Sequence, residues 1–204
     1  MKKIGEGWQY SVYDLGNGRV LKKFHSWPKA FWVILKKTKL SKKYPFWSIP
    51  KYINSMKMRA SRSFQILKSC NIPQSWIGNP LLINGLDYEQ DKVRSLYEIL
   101  EKVNTEEGKK IVDKFIEFNI KLLNLGIIDK SFNITKNYGL NHEGDVVLID
   151  IGEIFDDPRD IARQRQEKIW LRHYVVDCIQ DKEVCDHFIC QMNDSFGLLE
   201  DKKN

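Results

Sequence analysis

Acidic side chains are missing from a long part of this 204-residue sequence. Between Leu15 and Leu86 there are 14 Lys and Arg and no Asp or Glu. From Asp87 to Asn204 the balance reverses, with 25 acids against 17 basic side chains, so the net charge of +6 conceals two regions of opposite sign. A long stretch without acids carries a strong positive field, which favours phosphate-rich partners. The reversal predicts a junction near residue 86.

Long apolar runs are absent as well. No run approaches the roughly 20 apolar residues that a membrane-spanning helix needs. The first ten residues, MKKIGEGWQY, contain no apolar stretch of the kind found in secretory signals. With only four cysteines and no export signal, reduced thiols are expected rather than a disulfide framework. We therefore expect a cytoplasmic protein, whose 42% of apolar residues is enough to bury a core.

The first part of the sequence shows strand signals that are interrupted by basic helical ones. IGEGWQYSVYDLGNGRVLKKF predicts a strand, a tight turn at Asn17-Gly18 and a second strand from Val20 to Phe24. The proline in WPKAFWVILKKTKL suits a helix N-terminus, and INSMKMRASRSFQILKSC has apolar residues at helical spacing. SWIGNPLLINGLDYEQDKV then predicts two short strands.

Helix signals dominate the remainder. Thr105 is the predicted N-cap of a helix over EEGKKIVDKFIEFNIKLLNL, and Gly126 is its predicted stop. The apolar face of this helix contains Ile111, Phe115, Phe118 and Leu122. Further helices are predicted over about residues 157–180 and 182–196. The order of strands, basic helices, strands and then mostly helices predicts an α+β fold.

Two glycines in the first predicted turn form one half of a candidate site. Gly5 and Gly7 would let the backbone of a β-turn approach phosphates, and Val12 could cover a nucleotide base. Lys22 lies ten residues after Val12, in the strand RVLKKF, and would face back across the sheet toward the glycine turn. A lysine at such a position can hold phosphate oxygens. An ordinary hairpin turn and a solvated lysine are the alternatives.

Polar residues around a second predicted strand form the other half. In GDVVLIDIGEI, residues 144–154, four apolar residues predict a buried strand that ends at Asp150. Asn137 precedes Asp150 by thirteen residues, and Asp129 precedes Asn137 by eight. Amide and carboxylate oxygens suit magnesium, which takes few protein ligands together with nucleotide phosphates. A strand followed by a plain turn is the alternative.

In content and in order, these residues resemble the protein-kinase-like superfamily. The matching positions are the glycine-rich loop (Gly5, Gly7, Val12), the strand lysine (Lys22) and the two metal ligands (Asn137, Asp150). Asp-Ile-Gly stands where the family commonly has Asp-Phe-Gly. Ile-Gly-Glu after Asp150, and Gln-Glu-x-x-Trp at residues 166–170, are similar to small bacterial kinase-like proteins of the PhoP-regulated, YrbL type.

This resemblance implies a two-lobed fold. Residues 1–92 would form a small β-rich N-lobe with the glycine-rich loop and a basic helical insert. Residues 93–204 would form a helical C-lobe with the catalytic and metal-binding loops. The chain would then be an ATP- and magnesium-dependent phosphotransferase that binds its nucleotide between the lobes.

The resemblance also implies a role for each matching residue. Gly5 and Gly7 would cradle the phosphates of ATP, and Lys22 would orient them. Asn137 and Asp150 would hold magnesium. Val12 would lie against the base.

The sequence departs from the family pattern at two important places. Active kinases pair the strand lysine with a glutamate of the first helix, but residues 15–86 contain no acid, so Lys22 would need an acid of the other lobe, Asp150 for example, or stay unpaired. The usual catalytic base position, five residues before Asn137, is occupied by Phe132. Asp129 is then the candidate base, and Asn133 an alternative metal ligand. A pseudokinase, acting as a binding and regulatory module, is one alternative function, and a nucleic-acid- or anionic-membrane-binding protein that acts through the basic insert is the other.

The basic insert, residues 27–68, mixes lysines with aromatic side chains. Trp27, Trp32, Phe46 and Trp47 lie among them. Rings that stack and amines that meet phosphates suit nucleic acid, and the same composition suits an anionic membrane surface or a phosphorylated partner. A solvated helix whose aromatic side packs on the protein is the alternative.

Overall fold

A computed structural model of the chain describes residues 1–37 and 46–197. It has an α+β architecture, with a β-rich N-terminal sheet followed by a mainly helical C-terminal part. The predicted fold class is confirmed at this level. Within the described residues, no helix is both long enough and apolar enough to cross a membrane.

The N-terminal sheet has five antiparallel strands in the order β1-β2-β3-β5-β4. The strands are β1 (Lys2–Glu6), β2 (Tyr10–Asp14), β3 (Arg19–Phe24), β4 (Leu81–Asn84) and β5 (Asp87–Asp91). The predicted turn between β2 and β3 is confirmed. Gly16 and Gly18 both have positive φ there, a conformation that glycine adopts without steric cost.

Two helices connect β3 to β4. They are α1 (Trp27–Lys37) and α2 (Ile49–Ser69), and Pro50 lies in the first turn of α2. Their apolar faces pack together in a small cluster of Ala30, Ile34, Ile49, Ile53 and Met56. Farther along α2, Phe64, Ile66 and Leu67 enter the main core, which continues into the C-terminal helices. The part of the predicted insert at residues 38–45 lies outside the described residues.

The C-terminal part is built on two long helices that pack against each other. Its helices are α3 (Leu96–Leu100), α4 (Thr105–Asn124), α5 (Ile134–Asn137), α6 (Pro158–Gln166), α7 (His173–Val176) and α8 (Lys182–Phe196). The predicted apolar face of α4 is buried. The predicted cap of α4 was wrong by one residue, because Asn104 accepts the hydrogen bond from Glu107 N, while the Thr105 hydroxyl donates to Asp181.

The single helix predicted over residues 157–180 is also wrong. The helix ends at Gln166, and Lys168 then adopts a positive φ of 45°. A 3-10 helix at Ile169–Leu171 and the short α7 follow before residue 180. Helical periodicity in the sequence did not reveal this break, since Lys168 is not a residue type that signals a turn. The bounds predicted for the last helix, α8, are confirmed.

Two small sheets bring together the loops of the candidate site. In one, β7 (Ile128–Asp129) pairs antiparallel with β10 (Ile154–Phe155). The other contains β6 (Arg94–Ser95), β8 (Tyr138–Leu140) and β9 (Val146–Leu148), in the order β6-β8-β9. β9 is the predicted buried strand. These pairings place the segments around Asp129 and Asp150 next to each other.

Candidate functional site

Lys22 connects the N-terminal sheet to the Asp150 segment. It lies on β3, where it pairs with Val12 of β2 and Tyr88 of β5. Its side chain is buried, and its ammonium donates a hydrogen bond to the carbonyl oxygen of Ile149. Burial lowers the pKa of Lys22 to about 8, and the negative charge of Asp150 counteracts part of that shift. Lys22 is therefore not an ordinary solvated lysine.

Asp150 follows β9 and is held by its backbone. The amides of Ile149 and Asp150 donate to the carbonyl oxygen of Asn137, at 2.7 and 3.2 Å. The Asp150 side chain is exposed to solvent on one side and accepts a hydrogen bond from Gly152 N at 3.3 Å. The protein atoms packed around its other sides displace water and raise its pKa, while the Lys22 ammonium opposes that rise. The carboxylate is thus fixed in place and open to a ligand.

Asn137 is oriented by its neighbours. Its Nδ2 donates to both carboxylate oxygens of Asp129, each at 3.1 Å, and to the hydroxyl of Ser131 at 3.0 Å. The amide nitrogen of Asn137 therefore faces Asp129 and Ser131, and its Oδ1 atom points away from them.

Asp129 occupies a different environment from Asp150. Its side chain is fully buried and also accepts a hydrogen bond from the Ser131 hydroxyl at 3.3 Å. Burial raises the pKa of Asp129 to about 7, Asn137 opposes that rise, and the charges of Asp150 and Glu153 add to it. In this structure Asp129 positions Asn137 and has no open face toward a substrate.

Two other loop positions, the usual base position at Phe132 and the alternative metal ligand Asn133, make structural contacts. Phe132 is fully buried, with its ring centroid 5.1 Å from that of Phe196 and 6.1 Å from that of Trp170. Asn133 caps α5, where its Oδ1 accepts from Lys136 N at 3.2 Å and its Nδ2 donates to the Tyr174 carbonyl oxygen at 3.3 Å. Since both ends of the Asn133 amide are engaged, Asn137 is the better candidate for a metal ligand.

Glu153 is a residue of this region that the sequence analysis did not identify. Its Oε1 accepts from Arg59 Nε at 2.9 Å and from Lys130 Nζ at 3.1 Å. One turn farther along α2, Arg62 pairs with Asp156 at 2.7 Å. α2 has no glutamate that could pair with Lys22. Instead, two of its arginines pair with acids that follow Asp150 in the sequence. The sequence showed that α2 has basic residues and no acids. It did not show which acids they pair with, because 94 residues separate Arg59 from Glu153.

The glycine turn lies directly over Gly152. Gly7 N donates to Tyr10 O at 2.8 Å, which closes the turn between β1 and β2. A Cβ on Gly152 would stand 2.5 Å from Gln9 Oε1, so the turn contacts the Asp-Ile-Gly segment. A Cβ on Gly5 or Gly7 would meet no atom closer than 3.6 Å. These two glycines are thus not needed for internal packing, and their approach to phosphates stays a prediction.

The donor set limits the kind of metal site that can form here. Among residues 1–37 and 46–197, no group of three or more His, Cys, Asp or Glu side chains is arranged to hold a metal ion. A cation at Asp150 and Asn137 would therefore take its remaining ligands from outside these residue types. That requirement fits magnesium, which commonly binds through one or two carboxylates, nucleotide phosphates and water.

The basic insert presents aromatic side chains at the surface. Trp32 is 59% exposed and Trp47 is 80% exposed. Trp47 lines an open groove along α2 together with Lys51, Met58 and Arg62. An anionic or phosphorylated partner at residues 27–68 stays a prediction.

Comparison with known proteins adds little. No protein-family model matches the chain, and no curated protein matches it. Among solved structures, the complex of Rv3197 with erythromycin from Mycobacterium tuberculosis is similar over 95% of this chain and 53% of the other, with 13% identity and a TM-score of 0.49. The chain spans about half the length of that protein. A likeness this weak carries no argument about function.

Proposed function

We propose that this chain is an ATP- and magnesium-dependent phosphotransferase of the protein-kinase-like type. The observation that carries the proposal is that Lys22 and Asn137 both hydrogen-bond to the backbone of residues 149–150. Lys22 donates to Ile149 O, and Asn137 O accepts from the amides of Ile149 and Asp150. The buried Lys22 ammonium and the backbone of Asn137 thus both adjoin the segment that carries the exposed Asp150, and a kinase-like site needs these three residues near the phosphates and the divalent cation.

The proposal includes a two-lobed arrangement, with residues 1–92 as the N-lobe and 93–204 as the C-lobe. Its support is the position of Lys22 on the third strand of the N-terminal sheet, as in protein kinases. Lys22 reaches from this sheet to the segment that follows β9. The nucleotide would bind along this junction, under the glycine turn.

The residues present fit a magnesium–nucleotide complex. Asn137 Oδ1 and the Asp150 carboxylate are hard oxygen ligands of the kind that magnesium prefers. Magnesium-bound ATP would supply the phosphoryl group for transfer. The Lys22 ammonium would hold phosphate oxygens, because a buried ammonium without a full counter-ion attracts an anion strongly. Gly5 and Gly7, which have no side chains, would let the backbone of the turn approach the phosphates, and Val12 would pack against the base.

Asp129 supports this site through its hydrogen bonds with Asn137. It was predicted as the base that accepts a proton from the phosphoryl acceptor, yet a base must come within hydrogen-bond reach of that proton. In this structure Asp129 is fully buried and bound to Asn137. Its contacts support a positioning role, in which it keeps Asn137 Oδ1 turned toward the cation.

A pseudokinase that binds nucleotide and regulates a partner is the second candidate. Asp129 is the only acid in residues 129–137, and it is buried. Phe132, at the position where the family carries its base, lies in the core. This loop therefore offers no exposed carboxylate to an acceptor, which favours binding without efficient transfer.

Thermal denaturation with and without magnesium-ATP tests the nucleotide site. A ligand that binds only the folded state stabilises it by about 2.7 kcal/mol at one hundred times its Kd. We expect a clear rise in the Tm of the wild type and the loss of most of that rise in Asp150→Asn. Asp145→Asn, an exposed acid in the preceding hairpin, is the matched control and should keep the full rise.

Transfer of labelled γ-phosphate, measured in the same preparations, separates the two candidates. Turnover that Asp150→Asn abolishes supports the enzyme, and a ligand-dependent Tm rise without turnover supports the pseudokinase. A wild type whose Tm does not change at millimolar magnesium-ATP would refute both.

A further inference from the structure

Three tryptophans of the basic insert lie at the surface of the protein. Trp27 is 49% exposed, Trp32 is 59% exposed and Trp47 is 80% exposed. Tryptophan is well buried on average, so three such rings between residues 27 and 47 are unusual. Met58, farther along α2, is 73% exposed. Large apolar side chains that stay exposed in one part of a protein mark an interaction surface.

The exposed side of α2 combines apolar and basic side chains. Trp47, Lys51, Met58 and Arg62 line one open groove, and Asn54 completes its lining between them. Neighbouring members of this set are three or four residues apart, so they lie along one side of the helix. We call these five residues the outer face of α2. The opposite side carries the residues that pack α2 onto the protein, among them Ile49, Ile53, Met56 and Ala60.

The positive charge at the outer face is only partly neutralised within the protein. Arg62 pairs with Asp156 at 2.7 Å. Lys51 and the adjacent Lys57 are both exposed, and neither forms an ion pair with any residue of the described ranges 1–37 and 46–197. The sequence from Leu15 to Leu86 contains no acid that could neutralise them locally. Both ammonium groups are therefore available to an anionic partner.

A membrane surface with anionic lipids fits this chemistry better than nucleic acid does. Tryptophan rings favour the headgroup region of a bilayer, and lysines beside them are attracted by anionic headgroups. Nucleic-acid binding would instead need ring faces that are free to stack on bases. Met58 has no ring, and the ring of Trp27 is already stacked on Phe31, with centroids 5.6 Å apart and an angle of 18° between the planes.

We propose that the outer face of α2 docks on a membrane surface that contains anionic lipids. Trp47 and Met58 enter the headgroup region, and Lys51 and Lys57 lie against the anionic headgroups. This docking surface contains no residue of the proposed nucleotide site, so it adds an interaction to the proposed function and does not depend on it.

Flotation of the full chain with lipid vesicles tests the docking. The probe is a vesicle of phosphatidylcholine and phosphatidylserine mixed at about two to one, and a vesicle of phosphatidylcholine alone is its control. We expect the wild type to float with the anionic vesicles and not with the neutral ones. The bound fraction should fall as the salt concentration rises, because salt screens the attraction between exposed charges.

Charge reversal at the two unpaired lysines tests which surface binds. Each basic residue near an anionic membrane contributes about fivefold to affinity, so the double variant Lys51→Glu, Lys57→Glu should bind at least about twentyfold more weakly. The double variant Lys102→Glu, Lys110→Glu makes the same change in net charge at exposed lysines of the C-terminal part. This control should bind nearly as tightly as the wild type.

The apolar contribution has its own readout. Trp47→Ala should weaken binding to the anionic vesicles by about tenfold, because it removes the apolar surface that enters the headgroup region. Tryptophan fluorescence of the wild type should shift to shorter wavelength on binding, and the shift should be smaller in Trp47→Ala. Tyr97→Ala, at an aromatic residue of the C-terminal part that is 38% exposed, is the control and should bind like the wild type.

Four results would overturn the proposal. They are a wild type that does not float with anionic vesicles at low salt, equal flotation with neutral vesicles, equal loss of binding in the two double lysine variants, and tighter binding of single-stranded oligothymidylate that Lys51→Glu with Lys57→Glu weakens. The last result would assign the outer face of α2 to nucleic acid. Asp150→Asn should float like the wild type, so the failure of the nucleotide site and the failure of docking are distinguishable.

Discussion

The loop of residues 129–137 and the segment of residues 149–153 each bring a carboxylate to the same place, but they expose it differently. Asp129 is fully buried under Asn137, whereas Asp150 is open to solvent on one side and lies near Lys22. Two acids of one type thus acquire different chemistry from their surroundings. The loop carries an acid that positions another side chain, and the segment carries one that can contact a ligand.

The difference follows from the local sequence. Asp129 lies in β7, directly after the buried Ile127 and Ile128, and the pairing of β7 with β10 closes the protein over it. Asp150 comes after β9 has ended, in a turn where the amide of Gly152 donates to its carboxylate. Apolar neighbours and strand pairing bury the first acid, and the second lies exposed beyond the end of its strand.

The largest expected effect on stability concerns Phe132, the residue of the loop 129–137 that packs in the core. Phe132 has no exposed surface and packs against Trp170 and Phe196. Phe132→Ala should lower the free energy of unfolding by about 3–5 kcal/mol, through lost burial and the cavity left behind. Urea denaturation measures this loss, and Trp47→Ala, at an aromatic residue that is 80% exposed, is the control.

The same experiment decides whether an acid at position 132 could serve as a base. Phe132→Asp should destabilise the protein at least as much as Phe132→Ala, because it buries a carboxyl without a partner. It would therefore not restore catalysis by the family's usual geometry. If Phe132→Ala lowers the free energy of unfolding by less than about 1 kcal/mol, Phe132 is not packed in the core.

An intermediate effect concerns the buried acid itself. The pKa of Asp129 is raised from an ordinary 3.8 to about 7 in the folded protein. Between these values the folded state keeps a proton that the unfolded state has released. The contribution of Asp129 to stability is thus fully present below pH 3.8 and is lost as the pH rises toward 7, by up to about 1.4 kcal/mol per pH unit.

Asp129→Asn removes this titration, so its free energy of unfolding should depend less on pH than that of the wild type. Urea denaturation between about pH 4.5 and 7.5 measures both slopes while staying below the pKa of Lys22, which is about 8. Asp145→Asn, at an exposed acid, should keep the wild-type slope. Equal slopes for the wild type and Asp129→Asn would show that Asp129 titrates normally and is not sequestered.

Much of the fold followed from local signals in the sequence. The Asn17-Gly18 turn and the helix Lys182–Phe196 have short-range causes, namely a turn pair that tolerates positive φ and a continuous apolar face. The adjacency of Lys22, Asn137 and Asp150 was expected only from the order and spacing of motifs. Spacing alone did not show that Asp129 would be buried, because burial depends on how β7 and β10 pair.

The remainder depends on contacts between distant parts of the chain. Gln9 lies opposite Gly152, and neither residue type signals such a contact. Arg59 and Glu153 pair across 94 residues, which no local pattern reports. The break at Lys168 was missed for a related reason, since its positive φ depends on the surrounding packing and not on a turn-forming residue.

The smallest expected effect concerns Glu153, which joins the loop, the segment and α2. Its Oε1 accepts from Arg59 and Lys130, and all three side chains are partly exposed. Partly exposed ion pairs contribute little, so Glu153→Gln should lower the free energy of unfolding by only about 0.5–1 kcal/mol. The charge of Glu153 also raises the pKa of both Asp129 and Asp150, so the substitution should lower both values.

A double-mutant cycle with Arg59→Gln and Glu153→Gln measures the coupling between the two side chains. We expect a coupling energy of about 0.5 kcal/mol and, in Glu153→Gln, a pH dependence of stability that moves to lower pH. Arg163→Gln, in an exposed pair with Asp160 on α6, provides a matched arginine control that should leave this pH dependence unchanged. If Glu153→Gln leaves the pH dependence where it was, Glu153 does not act on the two acids. The contrast between Asp129 and Asp150 would then be set by burial alone.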